Sequence, residues 1–239
     1  MIKNEPDFLN FLKTPEHWEF TEELNIPVVK GVRLKNENAI ELVNFNEAHR
    51  VSQAQRKFKT VHFFQDDYLI ERTFTRAQQT AEFLSGFKAC LSPDFSQYTN
   101  MPKAMCIWNH YRKMWVSRFW QDIGIKVIPV AGWSDESSYK YCFEGMPRKS
   151  LIAVSTVGIH RDSQARYYFE KGYNEMMKRL EPDKVIVYGK LLDCCENVIH
   201  LKHINDEKFK AIKITKGLEN LELMESSPLR LTQDSTTYE

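Results

Sequence analysis

Apolar and polar positions recur along this chain with two different periods. Short apolar, β-branched runs at Thr60 to Phe64, Ala89 to Leu91, Lys126 to Ala131, Leu151 to Val157, Lys184 to Tyr188 and Asn197 to Leu201 read as strands. Between them, Thr75 to Phe87, Met101 to Ile123, Ser137 to Gly145 and Ser163 to Leu180 are long enough for two or more helical turns. Strand, helix, strand, helix predicts an α/β fold with a central, mostly parallel sheet and crossover helices. Two weaker runs, Ile26 to Val29 and Ala39 to Phe45, could raise the strand count to eight. That count permits a barrel but leaves an open three-layer sheet equally allowed. The first twenty or so residues carry Phe8, Phe11, Leu12, Trp18 and Phe20 and are expected to form a helix or two packed on the outside. The expected organisation is one α/β domain over 1–224 and a polar Ser/Thr-rich tail over 225–239.

The longest helical stretch refines this picture. At about 100° per residue, Trp108, Tyr111, Trp115 and Phe119 form one stripe, expected to lie against the sheet as core rather than to stack bases. Arg112 falls within that stripe. A buried guanidinium must meet carboxylates, carbonyls or a ligand phosphate, so Arg112 either serves a site or pairs with a structural acid such as Asp94 or Asp66.

Composition removes several function classes. With 33 Lys or Arg against 32 Asp or Glu, the net charge of +1 gives no electrostatic case for a polyanion partner. The nine glycines lie too far apart for a dinucleotide fingerprint or a Walker-type phosphate loop. No apolar run is long enough to span a membrane and the chain opens without an apolar signal core, which predicts a cytoplasmic protein with no membrane partner. Five cysteines without paired spacing read as reduced thiols. Cys194, Cys195, His200 and His203 match no zinc pattern, His62 reads as a core histidine, and neither a metal nor a cofactor is expected.

Candidate chemistry lies at the carboxyl ends of the strands, where parallel α/β folds converge on a crevice. Asp94 follows Pro93, which stops the strand and presents the next side chain. Beside Asp66 or Asp67 its pKa would rise toward the acid–base range, so these three are the candidate catalytic residues; the plainer alternative is that Asp94 caps a turn while Asp66 and Asp67 are solvated. Phe95, Ser96, Ser134 and Tyr188 stand at the same strand ends as candidate substrate contacts, and Trp133, after Gly132, could stack a base or sugar or else pack as a lid. Ser155, Thr156 and Gly158 could bind a phosphate together with the next helix start, where Asp162 or Ser163 could instead be a plain cap.

The strand ends also carry a resemblance. Val61 to Tyr68, Ser92-Pro93-Asp94-Phe95-Ser96-Gln97-Tyr98, Met101-Pro102, Ile107-Trp108-Asn109-His110-Tyr111-Arg112, Val127-Ile128-Pro129 and Gly132-Trp133-Ser134-Asp135 resemble a family of uncharacterised proteins, a domain of unknown function carried largely by bacterial phages and mobile elements. The similarity runs from about Ile26 to Lys190, includes Ser155 to Gly158, Phe169 to Asn174 and Tyr188-Gly189, and makes Arg118 the counterpart of a second helix arginine in that family. It implies a mobile-element setting and a nucleic acid or nucleotide as substrate, without supplying an activity.

Three functions fit these residues. The first is an enzyme acting on DNA or a nucleotide at an N-glycosidic bond, with Asp94 beside the sugar, Asp66 or Asp67 as its partner, Trp133 and Phe95 stacking, and Arg112 or Thr156 holding phosphate. The second is a non-catalytic module that sequesters a nucleotide or engages a host protein. The third is a phosphodiester hydrolase with a divalent ion on Asp66, Asp67 and Asp94.

Overall fold

The structure is a computed structural model that describes residues 14–34 and 40–203. Seven parallel strands follow one another in sequence order: β1 Glu41–Asn44, β2 Lys59–His62, β3 Ala89–Leu91, β4 Val127–Ile128, β5 Leu151–Ser155, β6 Lys184–Tyr188 and β7 Ile199–Leu201. Ladders join β1 to β4 and β5 to β7, and a parallel bridge between Val130 and Ala153 links the two sets. The crossovers are α1 Gln53–Arg56, then α2 Asp67–Ile70, α3 Arg72–Thr75 and α4 Ala77–Leu84, then α5 Lys103–Asp122 and finally α6 Ser163–Leu180. The β4–β5 connection is a 3-10 helix over Glu136–Lys140, shorter than the expected helical stretch to Gly145.

Sequential order and ring contacts decide between barrel and open sheet. In a flat sheet β2 and β6, four positions apart, would be separated by ~19 Å. Instead His62 and Tyr188 have ring centroids 4.7 Å apart, and Phe64, just beyond β2, stacks on Tyr188 at 5.0 Å. The sheet therefore curls into an incomplete barrel. Leu42, Leu91, Ile128, Ala153, Ile186 and Ile199, from six different strands, share one buried cluster that fills its interior. Alternate residues point outward, as the period of two requires. Val61, Cys90 and Val127 lie in register across β2, β3 and β4 and meet Trp115, Val116 and Trp120 of α5. Ile152 and Val154 pair with Val185 and Val187 and meet Phe169, Tyr173 and Met176 of α6.

Two expectations change. Ile26 to Val29 form no strand: Pro27 makes only an antiparallel bridge to Phe20, while Ile26 and Val29 are buried against the second outer layer. The stripe on α5 lies only in part against the sheet, through Trp115. Trp108 is 40% exposed, and Trp115 packs edge-on to Phe74 of α3 and against Trp18. The buried face includes Asn109, Lys113, Val116 and Trp120, spaced by four, three and four residues. Trp18 is buried as expected of the amino-terminal segment, whereas Phe8, Phe11 and Leu12 lie outside the described residues, as does the expected domain boundary at 224. The described elements belong to one compact unit ending at Leu201. No helix among the described residues is long and apolar enough to cross a membrane.

Candidate functional site

A cleft of about 600 Å³ opens at the carboxyl ends of β2 to β5. Phe64, Gln65 and Asp66 line it from beyond β2, and Asp94 to Thr99 from beyond β3. Ala131 to Ser134 contribute from β4, and Ser155, Val157 and Gly158 from β5. Its remaining wall is the start of α6, with Asp162, Gln164, Tyr168 and Phe169. The strand ends thus bring together eight of the candidate residues: Asp66, Asp94, Phe95, Ser96, Trp133, Ser134, Ser155 and Gly158.

Asp94 is half-buried, and among the described residues its carboxylate accepts no hydrogen bond. Burial pushes its carboxyl up to about 6; the buried Lys113 ammonium opposes that shift and the neighbouring Asp67 adds to it. Lys113 is 1% exposed and donates to the Val130 carbonyl at 3.0 Å, while the Val130 amide donates to the Ser92 hydroxyl at 2.7 Å. The ends of β3 and β4 are therefore tied together directly beneath Asp94. Burial lowers the Lys113 ammonium and Asp94 raises it. Burial and Lys113 together hold His110 down at about 3, with its Nε2 against the Glu144 carbonyl at 2.9 Å.

The loop that carries Asp94 is held on every side. Asp67 accepts from the Ser96 amide and hydroxyl at 3.0 and 2.8 Å, and Asn109 donates to the Ser96 carbonyl at 2.7 Å. The Arg112 guanidinium lies 3.6 Å from the Phe95 ring centroid, bonds Glu71 at 2.7 Å and approaches Asp67 at 3.7 Å. The segments Ser92 to Ser96 and Asn109 to Arg112 are thus one unit, although they are more than a dozen residues apart in sequence.

Four candidates stand behind the cleft wall rather than on it. Asp67 is committed to Ser96, and Arg112 to Glu71 and Asp67, and neither is among the residues lining the cleft. Tyr188 is buried beneath Phe64. The Thr156 hydroxyl donates to the Lys190 carbonyl at 2.7 Å in the tight turn at Gly189, whose φ is +116° and where a side chain would fall 2.6 Å from that hydroxyl. Trp133 lines the cleft, but its indole N–H donates to the Tyr168 carbonyl at 3.0 Å, and it packs on Phe169. Asp162 caps α6 by accepting from the Gln164 and Ala165 amides, and so occupies the anion position at that helix start.

A family model described as a domain of unknown function (DUF4417) matches residues 18–207. The chain belongs to this family. The Gene 1 protein of Mycobacterium phage L5 is 35% identical over 153 residues, which cover 64% of this chain and 67% of that protein. The Gene 1 protein of Mycobacterium phage D29 is 34% identical over 134 residues, covering 56% of this chain and 50% of that protein. No solved structure matches the chain.

In this DUF4417 chain the matched stretch contains all seven described strands and every residue lining the cleft. Among the described residues, no group of three or more His, Cys, Asp or Glu side chains is arranged to hold a metal ion. The Cys194 and Cys195 sulfurs are 3.8 Å apart, while His200 bonds the Gly189 carbonyl. Sequence reasoning missed Asn109, Lys113, Asp162 and Tyr168. The signal for the first two was their alignment with Val116 and Trp120 on one helix face; Asp162 was visible only as a cap.

Proposed function

We propose that this protein is an enzyme that hydrolyses an N-glycosidic bond, with Asp94 as its acid–base group. The carrying observation is Asp94 itself: a carboxyl pushed up to about 6, held at the cleft wall on a braced loop with no competing hydrogen bond. Above pH 6 the carboxylate faces the sugar and accepts a proton from the attacking water, whose oxygen bonds to the anomeric carbon as the carbon–nitrogen bond breaks. The same proton then goes to the departing ring nitrogen, so the products are a free base and a sugar with a hydroxyl at that carbon. The aromatic walls from Phe64, Trp133 and Tyr168 suit a planar base, while the Phe95 ring is buried in the core under Arg112. Asp66, which lines the cleft, is the partner carboxylate in place of Asp67.

The test is chromatographic detection of free base after incubation with nucleosides, nucleotides and single-stranded DNA. The wild-type protein is expected to release a base from at least one of them, and Asp94→Asn to lose roughly a hundredfold or more of that rate. Full activity in the variant overturns the role of Asp94. Thermal stabilisation by a ligand that the wild-type protein never cleaves overturns hydrolysis in favour of a receptor.

A further inference from the structure

The cleft presents three carboxylates, from Asp66, Asp94 and Asp162, and no Lys, Arg or His among its described lining residues. Each group suited to phosphate is engaged elsewhere. Arg112 is neutralised by Glu71 and Asp67, the Thr156 hydroxyl serves a backbone carbonyl, and the amides at the start of α6 are taken by Asp162. Recognition of a phosphate calls for cations or an open helix start; the described lining residues include no cation, and Asp162 fills the start of α6. What it does supply is ring surface and neutral polar groups. Gln65 lines the wall with a buried Nε2 that has no acceptor among the described residues, and Gln97, Gln164 and Ser134 stand around the same space.

We infer that this cleft takes an unphosphorylated nucleoside, neutral or cationic, and discriminates against nucleotides and nucleic-acid backbone through the carboxylates of Asp66 and Asp162, which line it together with Asp94. The inference rests on the cleft being the site described above and narrows its substrate. A phosphomonoester entering the cleft brings two negative charges toward those of Asp66 and Asp162, which are exposed and therefore repel it in a salt-dependent way.

Isothermal titration of the wild-type protein with the common nucleosides, their 5′-monophosphates and a short single-stranded oligonucleotide tests it. At least one nucleoside is expected to bind, and its monophosphate to bind at least about tenfold more weakly, with the gap closing as salt rises. Asp66→Asn and Asp162→Asn, the latter retaining a capping side chain, should each narrow the gap several-fold. A monophosphate or oligonucleotide that binds as tightly as the nucleoside overturns the inference, as does failure of every nucleoside to bind at millimolar concentration. The two readings fail separately: a preferred nucleoside left intact removes hydrolysis and keeps the specificity, while cleavage of a nucleotide in preference to its nucleoside keeps hydrolysis and removes the specificity.

Discussion

At the residue scale the decisive quantity is the environment of Asp94. An aspartate is titrated near pH 4 in an unfolded chain, whereas here the carboxyl is held up to about 6. Below pH 4 it is neutral in both states and stability is unaffected. As pH rises through 6, the folded state must hold a charge that burial disfavours, so stability falls across that interval by on the order of 2–3 kcal/mol. Asp94→Asn removes that charge. The variant is therefore expected to melt several degrees above wild type at pH 8 and within about a degree of it at pH 4, as read by calorimetry; equal melting temperatures at both pH values would contradict the burial account. Gly172 shows the same dependence on surroundings. A glycine inside a helix costs about 1 kcal/mol against alanine unless close approach requires it. Close approach does require it here, because a Cβ at position 172 would lie 2.2 Å from the Trp133 indole nitrogen. The sequence exposes the anomaly, but only packing identifies its partner as a wall of the cleft.

At the scale of elements, α5 is the organising piece. It leaves the loop after β3 and runs back along the sheet, so its first half lies beneath the strand ends and its second half beneath the outer layer. The buried face changes character accordingly, from Asn109 and Lys113 near the site to Val116 and Trp120 in the apolar layer. An apolar-stripe reading follows Trp108, Tyr111, Trp115 and Phe119 and so turns the helix by about one residue. Those rings are large enough to cover α3 and Trp18 while the polar groups go inward. Lys113 can be buried because the Val130 carbonyl accepts its hydrogen bond and the charge of Asp94 favours its ammonium form, and this couples its worth to pH. Lys113→Met leaves the Asp94 carboxylate without its buried cation at pH 8, but at pH 5 Asp94 is mostly neutral and the methionine removes a buried charge. The stability deficit of the variant relative to wild type should therefore grow by about 1 kcal/mol or more from pH 5 to pH 8 in denaturant titrations. A deficit independent of pH would mean that Lys113 acts only through its hydrogen bond to Val130.

At the scale of the whole molecule, the Val130–Ala153 bridge joins the two hydrogen-bonded sets of strands among the described residues, and one interior cluster contains residues from both. Shared burial of this kind makes them a single cooperative unit. Far-ultraviolet circular dichroism, which reports helices throughout, and tryptophan fluorescence, which reports Trp18, Trp108, Trp115, Trp120 and Trp133, should give coincident urea transitions; two separated transitions would show that the β1–β4 and β5–β7 halves unfold independently. The sequence alone determined the parallel α/β class, the positions of β3 and β6 and the span of α6, because these rest on local periodicity and on Asp162, whose effects act within a few residues. It left barrel and open sheet undecided, since curvature comes from interior side chains on distant strands meeting across the axis. Tertiary structure alone decided that Asp67, Arg112 and Thr156 bond to protein groups as braces and do not line the cleft. A charged or hydroxyl side chain has the same chemistry in either role, and only the groups that fold brings within about 3 Å determine which one it plays.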